Sequence, residues 1–142
     1  MKSNLSALIL LISIYSYSGT LPAMDSISYW KVYKGTQLLK EGNLNSTDSR
    51  IILSKGNIRS ADTLTIKYFD DTPCSECKES LTIKTSYGKV IKTISSYRNS
   101  EFQIKPVELQ VLAANYRSSF LRFFYKENES GKERFLFEIE IN

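Results

Sequence analysis

The chain has 142 residues and a mass of 16.3 kDa, room for one domain. Hydrophobic residues make up 42% and charged residues 24%, a balance that excludes a disordered chain. Histidine is absent, which excludes Ser-His-Asp and Cys-His nucleophilic relays, histidine metal ligands and a histidine pH switch. Two cysteines cannot close a four-thiolate zinc site within one chain.

Residues 1–23 have the three parts of a secretory signal peptide. Lys2 and the free amine supply the positive start, and Leu5 to Ile14 form an apolar run broken only by Ser6 and Ser13. Leu21-Pro22-Ala23 offers a cleavage site after Ala23, with Ser18 as a second candidate. The run is about half the roughly 20 apolar residues that a spanning helix needs. The expectation is therefore a secreted or periplasmic protein that meets the membrane only in transit, with residues 24–142 as its single mature domain. The formal net charge is +4, and the lysines and arginines are spread along the chain without a block of five like charges. A mixed solvated surface accounts for them, and no nucleic-acid partner is expected.

Beyond the leader, short segments rich in Val, Ile, Thr, Tyr and Phe alternate with turn residues, the pattern of an all-β domain. Ile27 to Tyr33 reads as the first strand, turned at Lys34-Gly35-Thr36, with Gln37 to Glu41 returning. Arg50 to Leu53 is short and apolar, and Lys55-Gly56-Asn57 turns again. Thr63 to Phe69 places Leu64, Ile66 and Tyr68 on one face. Ser80 to Thr85 and Lys89 to Ser95 read as a hairpin, with Gly88 suited to a left-handed turn position. Glu101 to Lys105 follows.

Pro106 to Tyr116 alternates ambiguously but reads as a short helix, opened by Pro106 and containing good helix formers. Val107, Val111 and Ala114 fall at helical spacing. Phe120 to Lys126 and Glu133 to Ile141 form the last hairpin, and strict alternation puts Phe135, Phe137, Ile139 and Ile141 on the core face. About eight strands and one helix near 106–116 imply an antiparallel two-sheet sandwich of immunoglobulin-like type. The absence of long helical crossovers argues against a parallel sheet.

Cys74-Ser75-Glu76-Cys77 is the one chemically distinctive segment. In an exported protein the default is a Cys74–Cys77 disulfide, worth roughly 2 kcal/mol or less for so short a loop. A redox-active pair is an alternative, but a strand rather than a helix is expected after Cys77. Asp70, Asp71, Glu76 and Glu79 would also raise a thiolate's pKa. A soft-metal site on the two thiolates is a third reading, and it lacks further ligands. No resident metal or cofactor is expected.

Trp30 and Tyr87 are candidate binding-surface residues, because Trp30 shares a strand face with Val32 and Ser28 while Tyr87 lies in a turn. Asn45-Ser46-Thr47 and Asn128-Glu129-Ser130 match the glycosylation acceptor pattern and fall in expected loops.

The architecture resembles that of small periplasmic accessory domains such as the curli-assembly chaperone, likewise a compact sandwich with a close cysteine pair. That family's pair is C-x-C, where this chain has Cys74-Ser75-Glu76-Cys77. The likeness covers fold type only and implies accessory or assembly roles by analogy; it transfers no functional residue.

No catalytic constellation emerges, and no enzymatic activity is expected. The leading expectation is a non-catalytic exported sandwich that binds a protein, a glycan or an assembling fibre through a surface. A thiol-disulfide or soft-metal protein using Cys74 and Cys77 and a structural subunit of a surface assembly are the alternatives.

Overall fold

A computed structural model describes residues 28–70, 76–97, 101–128 and 131–142. The leader and Cys74 lie outside these residues. Among these residues nine strands and one α-helix run in the order β1 (Tyr29–Lys34), β2 (Gln37–Asn43), β3 (Arg50–Leu53), β4 (Leu64–Phe69), β5 (Lys78–Thr85), β6 (Val90–Tyr97), β7 (Glu101–Ile104), α1 (Pro106–Asn115), β8 (Phe120–Glu127) and β9 (Arg134–Ile141). They make two sheets, one ordered β2-β1-β4-β7 and the other β3-β9-β8-β5-β6.

Successive residues of a strand point to opposite faces, so alternating apolar residues give each sheet one greasy side that must be covered by the other. Trp30, Val32, Leu64, Ile66, Tyr68 and Phe102 from the first sheet meet Leu81, Ile83, Leu121, Phe123, Tyr125, Phe137 and Ile139 from the second. Tyr68 and Tyr125 stack across the interface with ring centroids 3.9 Å apart. At one end Arg134 of β9 donates from a single nitrogen to the Tyr68 hydroxyl, at 2.7 Å, and to Asp70, at 3.0 Å, tying the sheets together. The Tyr68 contact, with the Asp70 carboxylate behind it, raises the Arg134 guanidinium above its ordinary pKa.

The order is immunoglobulin-like. β4 and β7 are neighbours in one sheet and β9, β8 and β5 in the other, as B–E and G–F–C are in that fold, with β6 appended beyond β5. One strand pair departs from the expected antiparallel pattern, because β3 runs parallel to β9, with Arg50 opposite Glu138 and Leu53 opposite Ile141. The crossover argument applies to strands adjacent in sequence. β3 and β9 are separated by most of the domain, so the chain traverses both sheets between them and needs no crossover helix.

Gly88 takes the positive φ expected of it, +88°, and Gly35 in the first turn stands at +57°. α1 begins at Pro106 as expected. It buries Pro106 and Leu109, with Leu112 and Ala113 partly covered. Val107, Val111 and Ala114 lie within α1 at the helical spacing read from the sequence, but Val111 and Ala114 face solvent and the core contact is made by Leu109 instead. The helix ends in a paired cap: Ser118 N–H reaches the Ala113 carbonyl and Arg117 N–H the Ala114 carbonyl. Arg117 stands at φ +48°, where glycine is usual.

The last strand also departs from strict alternation. The β8–β9 register shifts between Phe123 and Phe124, which pair with Phe137 and Phe135, so Leu136 is an extra residue on β9. Leu136 and Phe137 are consecutive and both buried, and Phe135 is turned to the outside. The core placement read for Phe135 is therefore corrected. A bulge re-aims the side chains that precede it.

Candidate functional site

The two proposed surface aromatics part company. Trp30 is fully buried and packs against Phe137, with ring centroids 5.1 Å apart, so it is a core residue and not a binding-surface one. Strand alternation puts it on the same face as Val32, and that face looks inward. Its indole N–H has no hydrogen-bond partner among the described residues. Tyr87 is exposed in the β5–β6 turn. Its hydroxyl donates to the Tyr116 carbonyl at 2.9 Å, and the neighbouring Lys89 ammonium lies 4.9 Å from the Tyr116 ring. Ser118 reinforces the junction by accepting the Ser86 N–H at 2.9 Å and donating to the Phe120 carbonyl. The structure thus anchors the Tyr87 turn to the end of α1.

Cys77 is buried, and Asn128 donates its side-chain N–H to the sulfur at 3.1 Å. Asn128 sits at φ +57° in the β8–β9 turn. The next residue, Lys78, already belongs to β5, so no helix begins beside Cys77 to favour a thiolate. No group of three or more Cys, Asp and Glu side chains among the described residues could hold a metal ion.

The richest surface, which the sequence analysis missed, is the outward face of the five-stranded sheet. Cross-strand registers stack its side chains in rows. One row runs Thr93, Thr82, Phe124, Phe135 across β6, β5, β8 and β9. The next runs Lys84, Arg122, Glu138, Arg50 into β3, and on the other side lie Ser95, Ser80 and Lys126. Phe124 and Phe135 meet edge to face, centroids 5.5 Å apart.

The Phe124–Phe135 ridge separates two shallow depressions. One, of about 390 Å³, is floored by Ser80, Thr82, Thr93 and Ser95 and flanked by Lys78, Lys126 and Glu133. The other, of about 430 Å³, lies between Ser49, Arg122 and Glu138.

Charge around the ridge is largely paired. Lys84 binds Glu133 and places its ammonium 4.5 Å from the Phe124 ring. Arg50 grips Glu138 at 2.6 Å and Glu140 at 3.2 Å, and the Glu138 contact raises the Arg50 pKa above its ordinary value. Such a network holds the charged frame in place while the Phe135 ring remains open to solvent beside a half-buried Phe124.

The four-stranded sheet carries its own exposed pair, Tyr29 stacked on Phe69 at 4.5 Å. Those two residues are simply opposite each other in register, an ordinary cross-strand contact. Phe135 is outward only because of the bulge.

No family model matches the chain, and a search of curated proteins finds no relative.

Proposed function

We propose that the chain is an exported, non-catalytic binding module of immunoglobulin-like fold that holds a protein or glycan partner on the outward face of its five-stranded sheet. The observation that carries this reading is the bulge at Leu136, which withdraws Phe135 from the core and sets it beside Phe124. Exposing a phenylalanine forfeits burial worth up to about 1.5–3 kcal/mol, and partner binding recovers it. The hydroxyl-lined depression beside the ridge adds directional hydrogen-bonding groups, the usual complement to an apolar anchor. No helix among the described residues is long and apolar enough to cross a membrane.

Cys74 and Cys77 serve in this reading as a disulfide staple at the entry to β5. Burial of Cys77 and its direct run into a strand support that role over redox chemistry.

A photo-reactive phenylalanine placed at Phe135 should form a discrete adduct in the native compartment, and the same probe at Phe69 on the opposite sheet should form none. Equal labelling from both positions, or specific turnover by the purified protein in a hydrolase screen, would overturn the reading. Amino-terminal sequencing tests export separately, with Met24 expected as the first residue and Met1 refuting it.

A further inference from the structure

Alternate residues of β8, the middle strand of the five-stranded sheet, reach its outward face. Arg122, Phe124 and Lys126 therefore stand in one column, with a cation on each side of the phenyl ring. The Cα atoms of the two cations lie about 14 Å apart along the strand. Phe135 of β9 widens the aromatic surface beside them. Lys126 borders the depression floored by Ser80, Thr82, Thr93 and Ser95, and Arg122 borders the other one.

The carboxylates that the described residues bring to this face are already matched by other cations. Lys84 takes Glu133, and Arg50 takes Glu138 at 2.6 Å and Glu140 at 3.2 Å. Arg122 meets Glu138 only at 3.8 Å, beyond hydrogen-bond reach. Its guanidinium lies 5.1 Å from the Phe120 ring, a stacking contact that leaves in-plane N–H groups for a ligand. Lys126 has no ion pair among the described residues. Both charges are available, and the local field favours an anion.

We infer that this column binds an acidic polysaccharide whose charge is carried by uronate carboxylates. The inference rests on the reading of the sheet face as the binding surface and names the class of partner. β8 and β5 each pair with a neighbour on both sides, so this part of the face offers side chains and no free main chain. An extended peptide laid across it would lose water from its own N–H and C=O groups and find no ladder partners. A sugar avoids that loss. Its C–H face packs on a phenyl ring, while its rim hydroxyls reach the serine and threonine floor or stay in water. Two available cations on a face otherwise neutralised suit a chain with one carboxylate on a sugar. A heavily sulfated chain or a nucleic acid calls for a dense basic cluster.

The test titrates the purified protein with a galacturonic acid oligomer and follows amide and side-chain NMR shifts. The oligomer's uncharged methyl ester and a threonine–glutamate peptide of equal charge are the comparison probes. Shifts should gather at Arg122, Phe124, Lys126 and Phe135, and binding should weaken as salt rises. Lys126→Gln and Arg122→Gln should each weaken binding of the oligomer by about two- to fivefold, the size of one exposed ion pair. The ester, which forfeits both pairs, should bind about tenfold more weakly. The peptide should bind more weakly than the oligomer, and Lys67→Gln on the opposite sheet should leave the oligomer's affinity unchanged.

Equal binding of the ester, equal or tighter binding of the peptide, unchanged affinity in both β8 variants, or no binding of the oligomer would each overturn the inference. A crosslink at position 135 to a partner that is not carbohydrate would overturn it too, and would leave the sheet-face reading standing. No adduct at 135, with oligomer shifts gathered away from β8, would sink both.

Discussion

Replacing Phe137 and Phe135 by alanine, one at a time, tests the bulge on which the binding face depends. Phe137 is fully buried, stacked on Phe123 at 4.7 Å and tilted against Trp30 at 5.1 Å. Truncating such a ring costs about 3–5 kcal/mol through lost burial and the cavity left behind. Phe135 is 40% exposed and touches one aromatic, Phe124, edge to face. Its loss should cost about 1 kcal/mol, made of partial burial and a single aromatic contact. Urea denaturation of both variants should therefore show Phe137→Ala at least about 2 kcal/mol less stable than Phe135→Ala, with unchanged m-values. An unbroken alternation would make both residues core and both losses large. Equal destabilisation, or a larger loss at Phe135, would refute the bulged register.

Three further outcomes are expected. A Cβ at Gly42 would lie 2.6 Å from the Trp30 ring and 2.8 Å from the Ser46 hydroxyl; the buried indole has no room to retreat. Gly42→Ala should destabilise by about 1–2 kcal/mol, the overpacking cost less the gain from a stiffer unfolded chain, and a melting temperature at or above the parent's would contradict that crowding.

Folding stability should be flat from about pH 5.5 to 7, because no histidine titrates there. Asp48 beside Lys40, Asp62 beneath the Arg59 N–H and near Lys34, and Glu101 beside Lys67 all have carboxyls held below their ordinary pKa. Their contribution is present above the unfolded carboxylate range of about 4 and is lost as pH falls through the lowered folded values. Lys31, raised by its hydrogen bond to Glu41, acts at the opposite end, stabilising below its ordinary pKa of 10.5 and losing that contribution as pH rises past its folded value. A stability maximum below pH 4 would reverse the sign of this linkage. Cys74→Ser/Cys77→Ser should lose about 2 kcal/mol or less by calorimetry and keep partner binding; loss of binding in a folded double variant would restore a chemical role for the pair.

The elements were legible in the residue order because each is a local property. Alternation of Leu64, Ile66 and Tyr68 marks a half-buried strand wherever it is placed, Pro106 can open a helix without sacrificing a hydrogen bond, and Gly88 suits a turn that needs positive φ. The absence of histidine was equally local, and it removed several classes of chemistry at a stroke. Which strands become neighbours, and which side of a strand looks inward, depends on partners far along the chain.

Trp30 and Phe135 show the limit. Both stand in alternating strands, yet Trp30 is sealed by Phe137 from the opposite sheet, while one extra residue at Leu136 turns Phe135 outward. Likewise β6 resembles any other strand until the sheet order places it at an edge, with no strand beyond it among the described residues. Periodicity specifies that a segment has two faces. Only packing against distant segments decides which face meets water and which backbone groups go unpaired, and the candidate site is built from those two decisions.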